Sequence, residues 1–393
     1  MISIQRKPMI RYIMVVVLFV FTCIGWFSSR PIKILKPIFN NRPPGTILMW
    51  DHPWSVSFTS QSEGSTFGRC RLTYKRERIE EADAVVFHLT AISDSDIPWK
   101  HYRRPSQLFV YWTKENPWVM KHLYRKNLTI FDNFFNMTMT YHTNSDLYSG
   151  YGTRRGVYNV VEKGTRVVDE LIAQKTKLAI WVVSNCDKMR GAVERMNYYN
   201  EMVDAGFQVD SCGSCFKQCR NMPNYQPDLW RTEISKYKFY FSFENNIGCK
   251  DYITEKFWEA PLWYGAVPVV WGPNMDDVIA VAPQNSFIHA DMFNTAADLV
   301  NYLNYLDSND TAYREYFKWR EDPSLTIEEM EEQIQSSHPE VEVFSAPVSS
   351  NFTLLCNAAL NKRTGKRWQV KSLHQKLIGD ERASCMEAGK WKL

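Results

Sequence analysis

The sequence has little net charge for its length and no block of like charge. Its 47 lysine and arginine residues nearly balance 43 aspartate and glutamate residues, which leaves a net charge of +4 over 393 residues. Because basic residues are interleaved with acidic ones, the composition argues against a nucleic-acid partner. Internal repeats and low-complexity tracts are also absent, so neither a repeat array nor an extended disordered tract is expected.

Apolar and aromatic residues are plentiful. The apolar fraction is 45% and the charged fraction 23%, both near the averages of globular proteins, so most of the chain should fold. Its length suffices for two domains of ordinary size. The 14 tryptophans, 20 tyrosines and 22 phenylalanines suit a surface that handles sugars, although an aromatic core is the simpler explanation for any one of them.

The first 30 residues have the pattern of a membrane anchor. Arg6, Lys7 and Arg11 precede an uncharged apolar run over residues 12–27. At about 1.5 Å per residue a helix of this length covers roughly 24 Å, which fits a thin bilayer of the early secretory pathway. A cleaved signal peptide is the competing interpretation, but Gly25-Trp26-Phe27 is a poor cleavage site. Basic residues also follow the run, so the positive-inside rule does not set its orientation.

Two further features predict that the body of the chain lies in the lumen. Four glycosylation sequons follow the anchor, at Asn127, Asn136, Asn309 and Asn351. Nine cysteines are present, and an oxidising compartment explains the eight beyond Cys23 as disulfides whose pairing the sequence does not reveal. A zinc site at Cys212, Cys215 and Cys219 is the less favoured alternative, because no fourth ligand of suitable spacing lies nearby.

The remainder divides into a stem and two α/β domains. Apolar runs bounded by turn residues predict strands at 46–50, 84–89 and 107–112, then at 178–184, 239–243 and 267–271, with helices near 191–205 and 255–264. The alternation of strands and helices favours parallel sheets. The predicted organisation is a cytoplasmic tail (1–11), a transmembrane signal-anchor (12–27), a proline-rich stem (28–45), a first α/β domain (46–170), a second (171–325) and a C-terminal extension (326–393).

The segment from Tyr237 to Gly272 is the most informative about chemistry. It predicts a buried strand, a polar loop, a helix capped by Thr254 and a second strand. Ligands collect at the carboxyl ends of parallel strands, and a helix N-terminus offers free N–H groups to a phosphate. Lys256 in the first turn is electrostatically unfavourable beside the positive end of the helix dipole unless a nearby anion compensates for its charge. Glu255 could accept hydrogen bonds from ribose hydroxyls. Alone, Thr254, Glu255 and Lys256 would more simply belong to the solvated face of an ordinary βαβ unit.

This segment resembles the signature of the α-1,3-fucosyltransferases. The motifs that carry the resemblance are Phe243-Glu-Asn245, Asp251-Tyr-Ile-Thr-Glu-Lys-Phe-Trp258 and Gly265-Ala-Val-Pro-Val-Val270. The similarity extends over roughly residues 46 to 320. It implies a GT-B architecture of two Rossmann-like domains, in which the second domain binds GDP-fucose and the first faces the acceptor.

The resemblance also assigns site residues. Asn245, Tyr252, Glu255 and Lys256 match donor-binding positions of the family, and Arg195 matches the arginine that contacts the diphosphate, with Arg190 as its rival. Fixed cations there would stabilise the negative charge that builds on the leaving group.

Displacement with inversion also needs a base for the acceptor hydroxyl. Glu115 follows a predicted strand and matches the proposed base of the family, although Asn116 replaces a serine. Three other departures are a loop at 245–251 that is one residue longer, Pro261 within the predicted helix, and His142 in place of an arginine.

The sequence therefore predicts a Golgi membrane enzyme, a single-pass type II protein, that moves L-fucose from GDP-fucose to the 3-hydroxyl of GlcNAc in an N-glycan, with inversion. We expect no obligate metal, with stimulation by Mn²⁺ left open. One alternative is a metal-dependent glycosyltransferase that uses Asp94 and Asp96, and another is a non-catalytic luminal glycan-binding protein.

Overall fold

The structure is a computed structural model that describes residues 44–52, 62–88, 90, 93–216, 227–362, 369–377 and 385. All of these except Pro44 belong to one compact unit, Gly45–Leu393. The predicted cytoplasmic tail, the predicted anchor at residues 12–27 and nearly all of the predicted stem lie outside the described residues. Within the part that is described, no helix is long and apolar enough to cross a membrane.

Two separate sheets form the framework. The strands are β1 Gly45–Met49, β2 Thr66–Phe67, β3 Cys70–Thr73, β4 Ala84–His88, β5 Leu108–Trp112, β6 Met137–Thr140, β7 Leu147–Tyr148, β8 Lys177–Val182, β9 Asp210–Cys212, β10 Tyr237–Phe243, β11 Val267–Trp271 and β12 Ile288–His289. The first sheet has the order β2-β3-β1-β4-β5-β6-β7 and the second the order β12-β11-β10-β8-β9. Every pairing is parallel except that of β2 with β3 at one edge. The six predicted strands and the parallel α/β fold are confirmed.

Helices cover the faces of both sheets. They are α1 Arg154–Val160, α2 Thr165–Ala173, α3 Arg190–Asp204, α4 Pro227–Ile234, α5 Glu255–Phe257, α6 Met275–Val281, α7 Ala296–Ser308, α8 Asp310–Arg314, α9 Ile327–Ser337, α10 Asn351–Lys362 and α11 Leu373–Leu377. Two π-helical turns, Val119–Leu123 and Trp258–Trp263, follow the ends of β5 and α5.

The central strands are apolar along their whole length because both of their faces are covered. Every residue of β4, β5, β10 and β11 is buried. In the first sheet, Val85 and Phe109 belong to one core layer, whereas Val86 and Val110 belong to the layer on the opposite face. Continuous apolar runs, rather than alternating ones, are typical of parallel strands in this position.

The C-terminal extension returns to the first sheet. Phe352, Leu355 and Ala359 on α10 are buried in the core layer that also holds residues of β1 and β4. On the opposite face, Leu373 and Leu377 of α11 join the layer that contains Phe87 of β4. The first sheet is therefore completed by residues far along the chain, which its own local sequence did not indicate.

Disulfides link distant parts of the chain. The described pairs are Cys70–Cys356, Cys186–Cys215 and Cys249–Cys385, and Cys212 is disulfide-bonded as well. The prediction of disulfides is confirmed. Because Cys212 and Cys215 are oxidised, they do not supply thiolates to a metal, and the zinc alternative is wrong.

Candidate active site

The carboxyl ends of β8 and β10 open into a cavity of about 400 Å³ in the second sheet. Four predicted donor-site residues line it, namely Arg195, Asn245, Glu255 and Lys256. The other lining residues are Val182, Val183, Ser184, Asn185, Trp230, Tyr240, Glu259, Ala260 and Tyr264. The volume is within the usual range for small-ligand sites, and its position is where ligands bind in open α/β sheets.

Lys256 is held by two carboxylates and a hydroxyl. Its Nζ lies 3.2 Å from Oε2 of Glu244 and 3.0 Å from Oε1 of Glu255, and it donates to Oγ1 of Thr254 at 2.7 Å. Burial lowers the pKa of Lys256, but Glu244 and Glu255 outweigh this effect and raise the pKa above its ordinary value. The ammonium group therefore stays charged at neutral pH.

This network changes the interpretation of Lys256. Its position against the helix dipole is offset by Glu244 and Glu255, so that position alone does not require an anion. Thr254 occupies the predicted cap position but makes no capping hydrogen bond, because its amide and hydroxyl donate to Oε1 of Glu244 at 2.8 and 2.6 Å. Glu244, only 1% exposed, was not predicted as a site residue although it lies inside the motif Phe243-Glu-Asn245.

The predicted helix over residues 255–264 is α-helical only from Glu255 to Phe257 and then widens into the π-helical turn. Pro261 lies inside this turn. Proline has no N–H to donate and its ring collides with the carbonyl four residues earlier, so a wider turn accommodates it. The departure from the family at Pro261 therefore coincides with a distortion of the helix, and the short α5 contributes little helix dipole.

Arg195 joins the ends of two strands under the cavity. On α3 it is buried, and it donates from Nη1 to the carbonyl of Phe243 at 2.7 Å and from Nη2 to that of Asn185 at 2.6 Å. Its Nε has no hydrogen-bond partner among the described residues. The rival, Arg190, is exposed at the start of α3 and does not line the cavity.

The start of α3 packs closely on the loop after β10. A Cβ atom at Gly191 would lie 2.5 Å from the carbonyl oxygen of Asn245 and 2.6 Å from Cα of Asn246. Glycine is therefore required for this approach, which brings the positive end of a 15-residue helix beside the cavity.

Tyr252 does not line the cavity, in contrast to the other predicted donor-site residues. It is 4% exposed, and its ring packs against Tyr141, with centroids 5.1 Å apart, and against Tyr151. Nearby, Asp251 accepts hydrogen bonds from the amide and hydroxyl of Thr143 and lies 3.6 Å from His142. His142, at a position where the resemblance predicts an arginine, therefore lies beside an acidic residue from the other half of the fold.

Glu115 follows β5, as predicted. Its amide donates to Oγ1 of Thr113 at 3.0 Å, and Asn116 is fully buried with its Oδ1 accepting the amide of Val119 at 3.0 Å. Asn116 thus performs the turn-closing role expected of a short polar residue at this position. The first π-helical turn then begins, and such turns are frequent at functional sites.

The electrostatic surroundings of Glu115 come from the second half of the chain. Burial raises the pKa of Glu115 above its ordinary value, Glu255 and Glu244 add to the rise, and Lys256 and a hydrogen bond from Tyr252 oppose it. Glu115 therefore lies within electrostatic range of residues that line the cavity, although it does not line the cavity itself. A partly buried carboxylate with a raised pKa is a stronger base than an exposed one.

Asp94 and Asp96 lie in a short 3₁₀ turn after β4 and do not line the cavity. Asp94 pairs with Lys126 at 3.2 Å, and the carbonyl of Asp96 accepts the indole N–H of Trp50. Among the described residues, no group of three histidine, cysteine or acidic side chains is arranged to hold a metal ion.

The second of the two α/β sheets has a cavity at its strand ends that Arg195 and Lys256 help to line, and this is the position at which open α/β folds bind ligands. Two family models match the chain. One is described as "Glycosyltransferase family 10 (fucosyltransferase) C-term" and matches residues 172–376, and the other is described as "Fucosyltransferase, N-terminal" and matches residues 42–152. The chain belongs to the glycosyltransferase family 10 fucosyltransferases.

Relatives with similar names are about one third identical to this chain over the aligned residues. The mouse 4-galactosyl-N-acetylglucosaminide 3-alpha-L-fucosyltransferase 9 is 34% identical over 290 residues, which cover 72% of this chain and 73% of that protein. The human protein of the same name is 33% identical over the same shares. A crystal structure of an alpha1,3-fucosyltransferase with GDP-fucose has a similar fold, with a TM-score of 0.50 at 18% identity over 93% of this chain and 94% of that one.

Proposed function

We propose that this fucosyltransferase moves L-fucose from GDP-fucose to the 3-hydroxyl of a GlcNAc in a glycoprotein glycan, with inversion at the anomeric carbon. The observation that carries the proposal is the cavity shared by Arg195 and Lys256, with the carboxylate of Glu115 in electrostatic range. The names of the mouse and human relatives and the GDP-fucose in the crystal structure of similar fold support the choice of donor and linkage.

In this proposal the donor lies in the cavity of the second sheet. Lys256 and Arg195 face the diphosphate, Glu255 accepts hydrogen bonds from the ribose hydroxyls, and Asn245 contacts the donor from the loop after β10. The buried carboxylate of Glu244 fixes the position of Lys256 through their ion pair. Tyr252 does not contact the donor in this proposal; it acts by donating a hydrogen bond to the carboxylate of Glu115.

The transfer requires one bond to form and one to break. The acceptor oxygen attacks the anomeric carbon while the bond from that carbon to the β-phosphate oxygen breaks, and GDP leaves with the electron pair. Glu115 accepts the proton of the acceptor hydroxyl. Lys256 and Arg195 stabilise the charge on the departing diphosphate, so we expect no obligate metal, and stimulation by Mn²⁺ is a separate question for experiment.

We further propose a Golgi location, with the body of the chain in the lumen behind the predicted anchor. The disulfides support an oxidising compartment. Of the predicted glycosylation sites, Asn127 is exposed and Asn309 is partly exposed, so both suit a surface glycan. Glycosylation stays a prediction at all four sites. At Asn136 the Oδ1 accepts the amide of Phe109, and at Asn351 the Nδ2 donates to Ser149.

Labelled GDP-fucose, offered with a panel of N-glycans to the full chain from a eukaryotic secretory host, tests the proposal. We expect transfer to GlcNAc-containing glycans that persists in EDTA. Transfer that EDTA abolishes and Mn²⁺ restores would instead support the metal-dependent alternative. Glycan binding without any transfer would support the non-catalytic alternative.

A further inference from the structure

A smaller cavity lies at the other end of the strands from the first cavity, the proposed donor site. It has a volume of about 250 Å³, and α2, α4 and the end of the second π-helical turn line it. Its lining includes Gln174, Ser235 and Tyr264, which shortly precede β8, β10 and β11. We call it the amino-end cavity. Tyr264 also lines the first cavity, so the two cavities meet at one side chain.

Two arginines line the amino-end cavity without a carboxylate partner. Arg320 is only 5% exposed, and its Nε and Nη2 both donate to the carbonyl of Glu162, at 3.1 and 2.7 Å. Its Nη1 has no hydrogen-bond partner among the described residues. Arg231, which is exposed on α4, forms no ion pair within the part of the chain that the structure describes. The cavity therefore holds a buried guanidinium whose charge lacks a counter-ion.

A third cation, Lys175, lies close to Arg320. Its Nζ donates to the carbonyls of Ser235 and Gly265, and no described carboxylate pairs with it. Burial lowers the pKa of Lys175 to about 7, and repulsion from Arg320 adds to this shift. Burial also lowers the pKa of Arg320 to about 10; Glu162 opposes that shift and Arg231 adds to it. The three cations thus raise one another's energy.

The acidic residues of the lining do not neutralise these cations. The Oε1 of Glu170 lies 2.8 Å from Nε of Arg166, which is exposed outside the cavity. Glu162 influences the pKa of Arg320, but among the described residues its carboxylate forms no ion pair with either arginine. A buried charge without a partner is costly, so the cavity favours an anionic ligand.

The size and the donors of the cavity suit a small ion. A guanidinium binds phosphate or sulfate through paired N–H groups, and the amide of Gln174 adds a neutral donor. The volume is just below the range of about 300–1,000 Å³ that is usual for sites of larger small molecules.

We propose that the amino-end cavity binds a small oxyanion, phosphate or sulfate, between Arg231 and Arg320. The ion takes no part in the transfer. It compensates the charge of the three cations and holds α4 against the turn that contains Arg320. Trp230, the neighbour of Arg231 on α4, lines the first cavity, so the ion also supports a wall of the proposed donor site.

Thermal unfolding of the full chain, with excess GDP present to fill the donor site, tests this proposal. Sodium sulfate and sodium phosphate are compared with sodium chloride at equal ionic strength. We expect sulfate and phosphate to raise Tm along a saturable curve, because a ligand that binds only the folded state stabilises it. The general stabilising effect of sulfate, by exclusion from the protein surface, does not saturate.

Arg231→Gln removes one proposed contact from an exposed position, so the variant should fold. We expect its half-saturating sulfate concentration to rise by about tenfold or more, the usual effect of losing a charge-assisted contact. Arg78→Gln is the matched control, because Arg78 pairs with Glu81 on the first half of the fold, and it should respond to sulfate as wild type does.

Gln174→Glu supplies the missing charge from the chain itself. On an ordinary surface this change should lower Tm, because the carboxylate lies at the C-terminal end of α2 and four residues after Glu170. In the amino-end cavity it should instead raise Tm and remove the saturable response to sulfate.

The outcomes separate a built site from a general salt effect. An equal response to sulfate in wild type, Arg231→Gln and Arg78→Gln would overturn the site, and so would a lower Tm in Gln174→Glu with an unchanged response. A parallel titration with GlcNAc 6-sulfate distinguishes the source of the ion. A response to inorganic ions alone assigns the site to a free oxyanion, whereas a response to the sulfated sugar that Arg231→Gln weakens assigns it to one carried on a glycan.

Discussion

The pairing of Lys256 with Glu244 leads to a prediction in which activity and stability separate. Lys256→Ala removes the cation that we place on the leaving diphosphate, and it also leaves Glu244 as a buried carboxylate without its charged partner. Glu244→Gln removes the buried charge and keeps the shape. The double variant removes both charges at once.

The structure sets the expected magnitudes. Breaking a buried ion pair by removing one partner costs about 3–5 kcal/mol, and we expect the lower end because Thr254 continues to donate two hydrogen bonds to Glu244. For a unit of this size, this corresponds to a fall in Tm of roughly 4 °C. Loss of a charge-assisted contact to the diphosphate costs about 1.5–3 kcal/mol, or about one to two decades in kcat/KM.

Thermal unfolding and steady-state kinetics of the wild type, Lys256→Ala, Glu244→Gln and the double variant together form a double-mutant cycle. Glu244→Gln should cost less stability than Lys256→Ala, because Lys256 keeps Glu255 and Thr254 as partners. The double variant should recover much of the Tm lost in Lys256→Ala, but its kcat/KM should stay low. Lys250→Ala is the matched control, because Lys250 is exposed and its nearest carboxylate, Asp277, is 3.9 Å away.

Two results would refute this reasoning. A Lys256→Ala protein with wild-type Tm would show that Glu244 does not depend on Lys256. A folded Lys256→Ala protein with wild-type kinetics for GDP-fucose would show that the first cavity is not the donor site.

Four other predictions concern the same site. Glu115→Gln should lower kcat by about two to four decades while the Kd for GDP, measured by calorimetry, is unchanged; a variant that keeps a third of wild-type turnover would exclude Glu115 as the base. Because burial raises the pKa of Glu115, activity should rise with pH through a midpoint above the ordinary range of a glutamate, and a pH profile of kcat/KM with its acid limb at that ordinary range would contradict this. Calorimetry of EDTA-treated protein should show GDP binding without added metal, and binding that requires Mn²⁺ would overturn the assignment of charge stabilisation to Lys256 and Arg195. Gly191→Ala should destabilise the protein by about 1–3 kcal/mol and weaken GDP binding, because the added methyl group overlaps the backbone at Asn245; chemical denaturation and calorimetry measure both effects, and a neutral result would exclude that close contact.

The amino-acid sequence by itself indicated the framework and four of the thirteen residues that line the first cavity. Apolar runs such as Phe239–Phe243 can be buried on both faces only in a covered parallel sheet, so their position along the chain was readable. Polar residues placed directly after such strands must gather at one edge of the sheet. The resemblance to the family assigned Asn245 and Lys256 to the donor site and Glu115 to the role of base, and all three follow predicted strands in the sequence.

The tertiary structure alone decided the pairings between distant residues. The link from Glu244 to Lys256 depends on a loop that folds back over a strand end, and the bond between Cys70 and Cys356 joins positions 286 residues apart. Tyr252 appeared from its motif to face the donor, but packing against Tyr141 buries it.

Another cavity of about 400 Å³ in the structure shows the same limit. Trp112, Trp263 and Asn351 come from three distant segments, and nothing in the local sequence around any of them specifies the others. Local sequence fixes which faces of a strand or helix are apolar, because that depends on the period of each element. Which faces meet is a long-range property, set by how the whole chain buries those faces at once.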